Sequence, residues 1–320
     1  MLDEKTTPAA DRRSPPLLQV KDAPIPKTLH DALAHYERIY MPSRNFATKT
    51  RLNYRNDLLD LVRFLIHQGK THLDQLSSRD LEAYLADLDR RQYAGASRKR
   101  KTYAIKSLFR FLYDSGYTPQ DISQRLIPPR SEYKEPRVLT KDEYTALLRA
   151  CSHHARDSAI IEVLLQTGIR LSELAKLRLD DVDLPGRIGR DPDTVGRLHI
   201  MGKGRKDRWI PLNYKACLAL KSWLNTRPQA EHDALFVSKF RTAMGGRSIQ
   251  HVIEKYMREA WIKNASVHTL RHTFATHHVA MGTSLRTVQE VLGHADLKTT
   301  SIYVQLAQEA VKKELQEHAL

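Results

Sequence analysis

The chain has 320 residues, 52 of them Lys or Arg against 37 Asp or Glu, for a net charge of +15, and its 41% hydrophobic share is enough to fill compact cores. At roughly 100–200 residues per domain, this length predicts about two domains. No stretch approaches the ~20 uncharged apolar residues of a bilayer span, since even 159–165 is interrupted by Glu162, so a membrane protein is excluded. Cys151 and Cys217 stand alone and the first residues carry no apolar h-region, which excludes a disulfide-stapled secreted scaffold and reads as a reducing, cytoplasmic setting. A surplus of this size points to a polyanionic partner such as nucleic acid, with a merely solvated basic surface as the alternative.

Residues 1–26 hold five of the fourteen prolines and balance four basic against four acidic residues without periodicity, so they read as a disordered tail. From 27 to 126 there are 18 basic and 11 acidic residues, and apolar positions recur at intervals of three and four. Leu29, Leu33 and Tyr36 form one such set; Tyr54, Leu58, Leu61 and Leu65 form a second before Gly69. Leu81, Leu85 and Leu88 follow Ser77 and Ser78, and Ile105, Leu108, Phe109 and Leu112 lead to Gly116. Four amphipathic helices of this kind predict a small all-helical bundle. Between Arg91 and Arg110 there are seven basic residues and no acid. With no acidic partner four residues away on the same helix, Arg98, Lys99, Arg100, Lys101 and Lys106 are candidates for contacting DNA phosphates; a solvated face is the alternative.

Residues 127–137 contain three prolines, which remove backbone donors and fix φ, so an extended linker is expected there. The remainder, with 30 basic and 22 acidic residues, is mixed. Two basic lobes joined by a strap suggest a clamp around a duplex. Asp142–Ala150 and Ser158–Gly168 read as helices; Leu198 and Ile200 alternate with His199 and Met201, Gly202–Asp207 turns the chain, and Trp209–Leu212 resumes it as a β-hairpin with a basic tip. Helices follow over Tyr214–Asn225, Ser248–Ala260, His268–Met281, Ser284–Leu292 with Ser284 as N-cap and Gly293 past its end, and again from about Thr299. The expected fold class is mainly α with a small β-hairpin or sheet: an all-helical domain over 27–126 and a mixed α+β domain over 138–320.

Several side chains in the second lobe have the types and spacing that phosphate chemistry needs. In Thr167-Gly-Ile-Arg-Leu-Ser-Glu-Leu174, Arg170 sits at a helix junction with Glu173 three residues on to orient it. His268 and Arg271 are three apart, so on a helix they aim an imidazole and a guanidinium at one point. His268 and His272 are four apart, and further histidines follow at 277, 278 and 294, yet no H-E-x-x-H or zinc-finger pattern is present and no metal site is expected. His294 and Tyr303 lie nine residues apart, which on one continuous helix places them on opposite faces. If they cooperate, the helix must break between them, and Gly293 with the polar 296–300 stretch supplies the break.

Arg170 in T-G-I-R-L-S-E-L, Lys203 in G-K-G-R-K-D-R-W-I-P, His268 and Arg271 in H-T-L-R-H-T-F-A-T, and L-G-H294 with Tyr303 beyond it resemble, in order and spacing, the active-site signature of the tyrosine recombinase (phage integrase) family, in its Xer-like architecture. The resemblance covers about 138–305, and the helical first lobe is similar to that family's core-binding domain. It implies that Tyr303 attacks a scissile phosphodiester to give a 3′-phosphotyrosyl link and a free 5′-hydroxyl, without ATP, metal or other cofactor. It implies further that His268 acts as base, that Arg170 and Arg271 stabilise the phosphorane, that Lys203 protonates the leaving oxygen, that His294 bonds the phosphate and that Glu173 supports them from behind. By spacing alone Lys206 is as well placed as Lys203; the choice rests on the resemblance. The implied partners are double-stranded DNA with paired recombination sites and a homotetramer, or a heterotetramer with a related recombinase.

In that family a segment like 304–320 docks on the neighbouring protomer; packing on its own domain is the alternative. The Gly- and Pro-rich 184–194 stretch and the tail look like additions to the compact family pattern, and favour a mobile-element enzyme over a chromosome-dimer resolvase. The short segment before Lys27 leaves no room for a separate arm-site domain. Two rival readings share some features: a non-enzymatic regulator, since 284–303 mimics a helix-turn-helix, and a type IB topoisomerase, which would need no site sequence.

Overall fold

The computed structural model describes residues 26–130, 135–191, 195–202, 207–293 and 302–308. The expectations placed on the tail, on Lys203 and Lys206, on His294, and on 309–320 therefore lie outside the described residues. By contacts the chain divides into two compact units, Met1–Lys134 and Glu135–Leu320.

In the first unit α1 (Leu29–His35) opens at Thr28, whose hydroxyl accepts the Asp31 amide N–H at 3.1 Å, and runs on through a π-helical turn, Tyr36–Tyr40, into α2 (Met41–Ser43). Three further helices, α3 (Thr48–His67), α4 (Ser78–Arg90) and α5 (Gly95–Asp114), complete an all-helical body. The residues that set the spacing in the sequence, among them Leu58, Leu61, Leu65, Leu81, Leu88, Ile105, Leu108 and Leu112, form one buried core.

Most of the basic run around α5 is paired with neighbouring elements of the bundle. Arg100 forks onto Asp57 of α3 at 2.7 and 2.9 Å. Lys101, only 5% exposed, donates to Asp60 at 2.8 Å and lies 3.5 Å from Asp57. Arg91 reaches Asp60 at 3.1 Å, and Arg98 pairs with Asp89. Lys106 donates to the carbonyls of Ser123, Gln124 and Leu126 at 2.8–3.2 Å. The premise that these cations lack acidic partners is corrected here: the partners sit across the bundle, where same-helix spacing cannot reveal them. Lys101 points inward, away from any external phosphate, and the half-buried Lys106 ammonium is turned onto its three carbonyls. Lys99 alone of the five candidates has no hydrogen bond or ion pair among the described residues.

The second unit begins with α6 (Lys141–Cys151), where Thr140 and Glu143 cap each other's backbone, and α7 (Ala155–Thr167). Helix α7 is apolar around much of its circumference, with Ala159, Ile160, Ile161, Val163, Leu164 and Leu165 all buried, which is the pattern of a central helix. The short α8 (Leu171–Leu174) follows directly. Strands β1 (Val182–Asp183), β2 (Gly196–Met201) and β3 (Asp207–Leu212) form an antiparallel sheet in that order, with Leu198 opposite Ile210 and His199 opposite Trp209. The hairpin is as the alternation predicts; β1 is an addition that its two residues were too short to signal.

Helices α9 (Tyr214–Thr226), α10 (Gly246–Glu259), α11 (Val267–Ala280) and α12 (Leu285–Leu292) complete the unit, and 302–308 is again helical. Leu306 and Tyr303 pack with Phe274, Ala275, Val288 and Leu292, so this last described segment lies on α11 and α12 of its own unit. Among the described residues no helix is long and apolar enough to cross a membrane, and no cluster of His, Cys, Asp and Glu is arranged to hold a metal ion.

Candidate active site

Helix α11 starts where the Thr269 hydroxyl accepts the Ser266 amide N–H at 2.9 Å. From that start His268, Arg271 and His272 fall on one face, at positions i, i+3 and i+4. Arg271 is 7% exposed and its fork is spanned by two backbone carbonyls: Nη1 donates to Gly168 at 2.6 Å and Nη2 to Leu292 at 2.8 Å. Both acceptors lie at helix C-termini, where unpaired carbonyls and the negative dipole end suit a cation. Burial, and then the neighbouring Arg170 charge, push the Arg271 guanidinium down to about 10. Gly168 closes α7 at φ +62°, and a Cβ there would lie 2.5 Å from Phe274 Cδ1, so no other residue fits without displacing the floor under Arg271.

Arg170 precedes α8. Its amide N–H donates to Glu173 Oε2 at 2.8 Å, its Nη1 to Glu173 Oε1 at 3.0 Å, and its Nη2 to the Gly293 carbonyl at 2.9 Å. Glu173 also receives Arg208 of β3, through Nη1 at 3.3 Å and Nη2 at 3.0 Å. Burial would raise the Glu173 carboxyl, but the Arg208 hydrogen bond, the Arg170 backbone N–H and the two guanidinium charges together hold it below the usual carboxylate value.

Tyr303 is 2% exposed, and its hydroxyl lies 3.1 Å from His272 Nδ1. Burial raises the phenol's pKa, while Arg271 and Arg170 pull it the other way. Burial also lowers His272 to about 4, helped by the charges of His268 and Arg271, so at neutral pH this imidazole is uncharged. Arg170, His268, Arg271, His272 and Tyr303, with Pro136 and Ile302, line one cavity of about 370 Å³. Arg170 and Arg208 share the Glu173 carboxylate and Arg271 is held by backbone carbonyls, so three guanidiniums stand against one carboxylate near the phenol. That surplus of fixed positive charge suits an anion whose charge grows during reaction, as that of a phosphodiester under attack does.

Of the residues singled out in the sequence, the structure thus gathers Arg170, His268, Arg271 and Tyr303 at one cavity, with Glu173 behind Arg170. Lys203 and His294 lie outside the described residues. Sequence reasoning missed His272 and Arg208. His272 was weighed only as a metal ligand, although its i+4 spacing from His268 placed it on the same face. Arg208 had a signal as well: strand alternation puts it on the inward side with Ile210 and Leu212, where an arginine requires an acidic or carbonyl partner.

Two family profiles match the chain: the phage integrase family over 137–310, and the phage integrase N-terminal SAM-like domain over 33–116. The tyrosine recombinase XerD of Bifidobacterium longum is 34% identical over 286 residues, covering 84% of this chain and 90% of that protein. The tyrosine recombinase XerC of Pseudomonas entomophila is 34% identical over 82% of this chain and 87% of its own length. Among solved structures, XerA recombinase is 29% identical with a TM-score of 0.51, covering 91% of this chain and 99% of that one. XerH recombinase in a post-cleavage complex with its difH substrate aligns at a TM-score of 0.71, with 22% identity over 88% of this chain and 83% of that one.

Proposed function

Because the chain belongs to the phage integrase family and is a tyrosine-type site-specific recombinase, we propose that it cuts and rejoins duplex DNA through a covalent bond to Tyr303. The observation that supports this most directly is the convergence of Tyr303 with Arg170, Arg271 and His268 on one cation-rich cavity. In this reading the Tyr303 oxygen attacks the phosphorus, forming a 3′-phosphotyrosyl ester as the bond to the 5′-oxygen breaks. Conservation of the ester's energy makes ATP unnecessary, and the reaction uses no metal. Arg170 and Arg271 neutralise the non-bridging oxygens of the pentacoordinate state. His268 takes the phenolic proton, Lys203 returns one to the leaving 5′-oxygen, and His294 bonds the phosphate. Glu173 orients Arg170.

Residues 27–126 form the core-binding domain, 127–137 the linker, and 138–320 the catalytic domain with a C-terminal helix for exchange between protomers. The working assembly is a tetramer on two DNA sites, in the cytoplasm. Lys99 is the α5 cation left to meet a phosphate. Of the biological outcomes, integration, excision or resolution of a mobile element is one, favoured by the 184–194 stretch and the tail. Xer-type resolution of replicon dimers is the second, favoured by Xer relatives that align over more than four-fifths of the chain.

Covalent capture tests the proposal. The protein is mixed, in EDTA and without nucleotide, with a pool of randomised duplexes carrying a nick, then denatured, and the attached DNA is sequenced. One enriched sequence attached to wild type and nothing attached to Tyr303→Phe is the expected result. Adducts that survive Y303F would overturn the assignment of the nucleophile, and adducts without any shared sequence would favour a topoisomerase. Mapping the enriched sequence to a mobile-element end or to a replicon-resolution site separates the two outcomes.

A further inference from the structure

Three consecutive carbonyls at the C-terminal end of α12 each accept a different arginine. Val291 accepts Arg208 Nε at 2.9 Å, Leu292 accepts Arg271 Nη2 at 2.8 Å, and Gly293 accepts Arg170 Nη2 at 2.9 Å. Gly293 stands at φ +64°, and a Cβ built on it would lie 3.0 Å from Arg208 Cζ, so the glycine face rests against that guanidinium. Arg208 is the member of the trio that does not line the cavity. Its remaining donors hold both oxygens of Glu173, the same carboxylate that fixes Arg170. With a side chain only 16% exposed, it is a link between β3, the α8 turn and the end of α12.

We infer that Arg208 is a positioning residue for strand cleavage, setting Arg170 through Glu173 and through the α12 terminus while touching no DNA itself. The inference rests on the recombinase reading above. The physical basis is the shared carboxylate. Glu173 lies between two guanidiniums and is drawn toward both; with Arg208 gone, the carboxylate is held only by the Arg170 amide N–H and Nη1, and the α12 terminus that receives Arg170 Nη2 loses its tie to β3. A bidentate fork of this kind cannot be replaced fully by a lysine, which brings the charge without the geometry.

The test uses the duplex captured by wild type in the experiment above, at a temperature where every variant is fully folded by circular dichroism. The single-turnover rate of adduct formation and the affinity for the duplex are measured for Arg208→Gln, R208K, E173Q and the R208Q/E173Q double variant. Expected for R208Q is a loss of about 10- to 100-fold in rate with affinity within about 2-fold of wild type, and for R208K a partial recovery. In the E173Q background, removing Arg208 is expected to cost clearly less than it does in wild type, because the carboxylate through which it acts is already neutral and only the tie to α12 is left to lose.

Rates equal to wild type in R208Q, or losses that multiply in the double variant, would overturn the inference. So would a fall in affinity that accounts for the whole defect. Should wild type capture no duplex at all, it is the recombinase reading that fails, and that outcome is distinct from each of these.

Discussion

Each unit holds a cluster of paired charge, and the two clusters differ in how far their positive charge is answered. In the helical unit, Asp57, Asp60 and Asp87 meet Arg91, Arg100 and Lys101, three carboxylates to three cations, with the Tyr84 hydroxyl donating to Asp60 at 2.8 Å and Arg91 stacked over Tyr93. Among the described residues no buried side-chain nitrogen or oxygen of this cluster lacks a partner, and burial's upward push on Asp60 is outweighed by hydrogen bonds from Lys101, Tyr84 and Arg91, so it stays ionised. In the catalytic unit, Arg170 and Arg208 share Glu173 while Arg271 is held by backbone carbonyls, and a row of such carbonyls at the end of α12, which brings no formal charge, takes one donor from each of the three. The first cluster is closed and its work is structural. The second keeps positive charge in reserve beside a phenol, which is an arrangement that an arriving phosphate completes. A basic sequence motif therefore indicates a ligand only when the fold leaves its charge unanswered.

Arg271→Gln is the sharpest way to break this contrast. It removes the buried cation while keeping a hydrogen-bonding side chain, and it is expected to lower adduct formation on the captured duplex by about 10³-fold while binding persists. An unchanged rate would mean that the surplus charge has no chemical role. The counterpart in the closed cluster is Asp60→Asn, which strands Lys101 and Arg91. It should destabilise the protein by about 3 kcal/mol in a urea melt, with the cleavage rate of the folded fraction unaltered.

Salt dependence sharpens the contrast within α5 itself. Lys99→Ala should reduce the slope of log affinity against log salt by about 0.9, the amount for one lost phosphate contact, whereas Lys101→Met should leave that slope as it is.

The smallest effect is a pH dependence. His272 titrates at about 4 in the fold and near ~6.5 unfolded, so between these values the unfolded chain binds the extra proton. Its contribution to stability is complete above about 6.5 and is lost as pH falls toward 4. His272→Gln, which cannot take up that proton, should give a flatter curve of melting temperature against pH in that window.

What the sequence made legible was local. Spacings of three and four marked the inner faces of α3, α4 and α5, and alternation marked β2 and β3, because side-chain direction repeats with backbone period. Arg170, His268, Arg271 and Tyr303 could be picked out because residue type and short-range order carry their signal. The pairings that decide what each charge does are long-range. Arg100 finds Asp57 across 43 residues, Arg208 finds Glu173 across 35, and Tyr303 finds His272 across 31. No same-helix rule reaches that far, which is why α5 looked uncompensated and why Arg208 passed unnoticed inside a motif read for its lysine. The strand β1 escaped for a different reason: two residues are too few to show a period.

The row of carbonyls at the end of α12 has a mechanical meaning. Successive residues of a helix point about 100° apart, so a rotation of α12 by a single residue would take all three carbonyls away from their arginines together. Arg170, Arg208 and Arg271 therefore share one support, beside the second partner that each keeps in Glu173 or the Gly168 carbonyl. A change at that helix end reaches all three guanidiniums at once, the two that line the cavity and the one behind them.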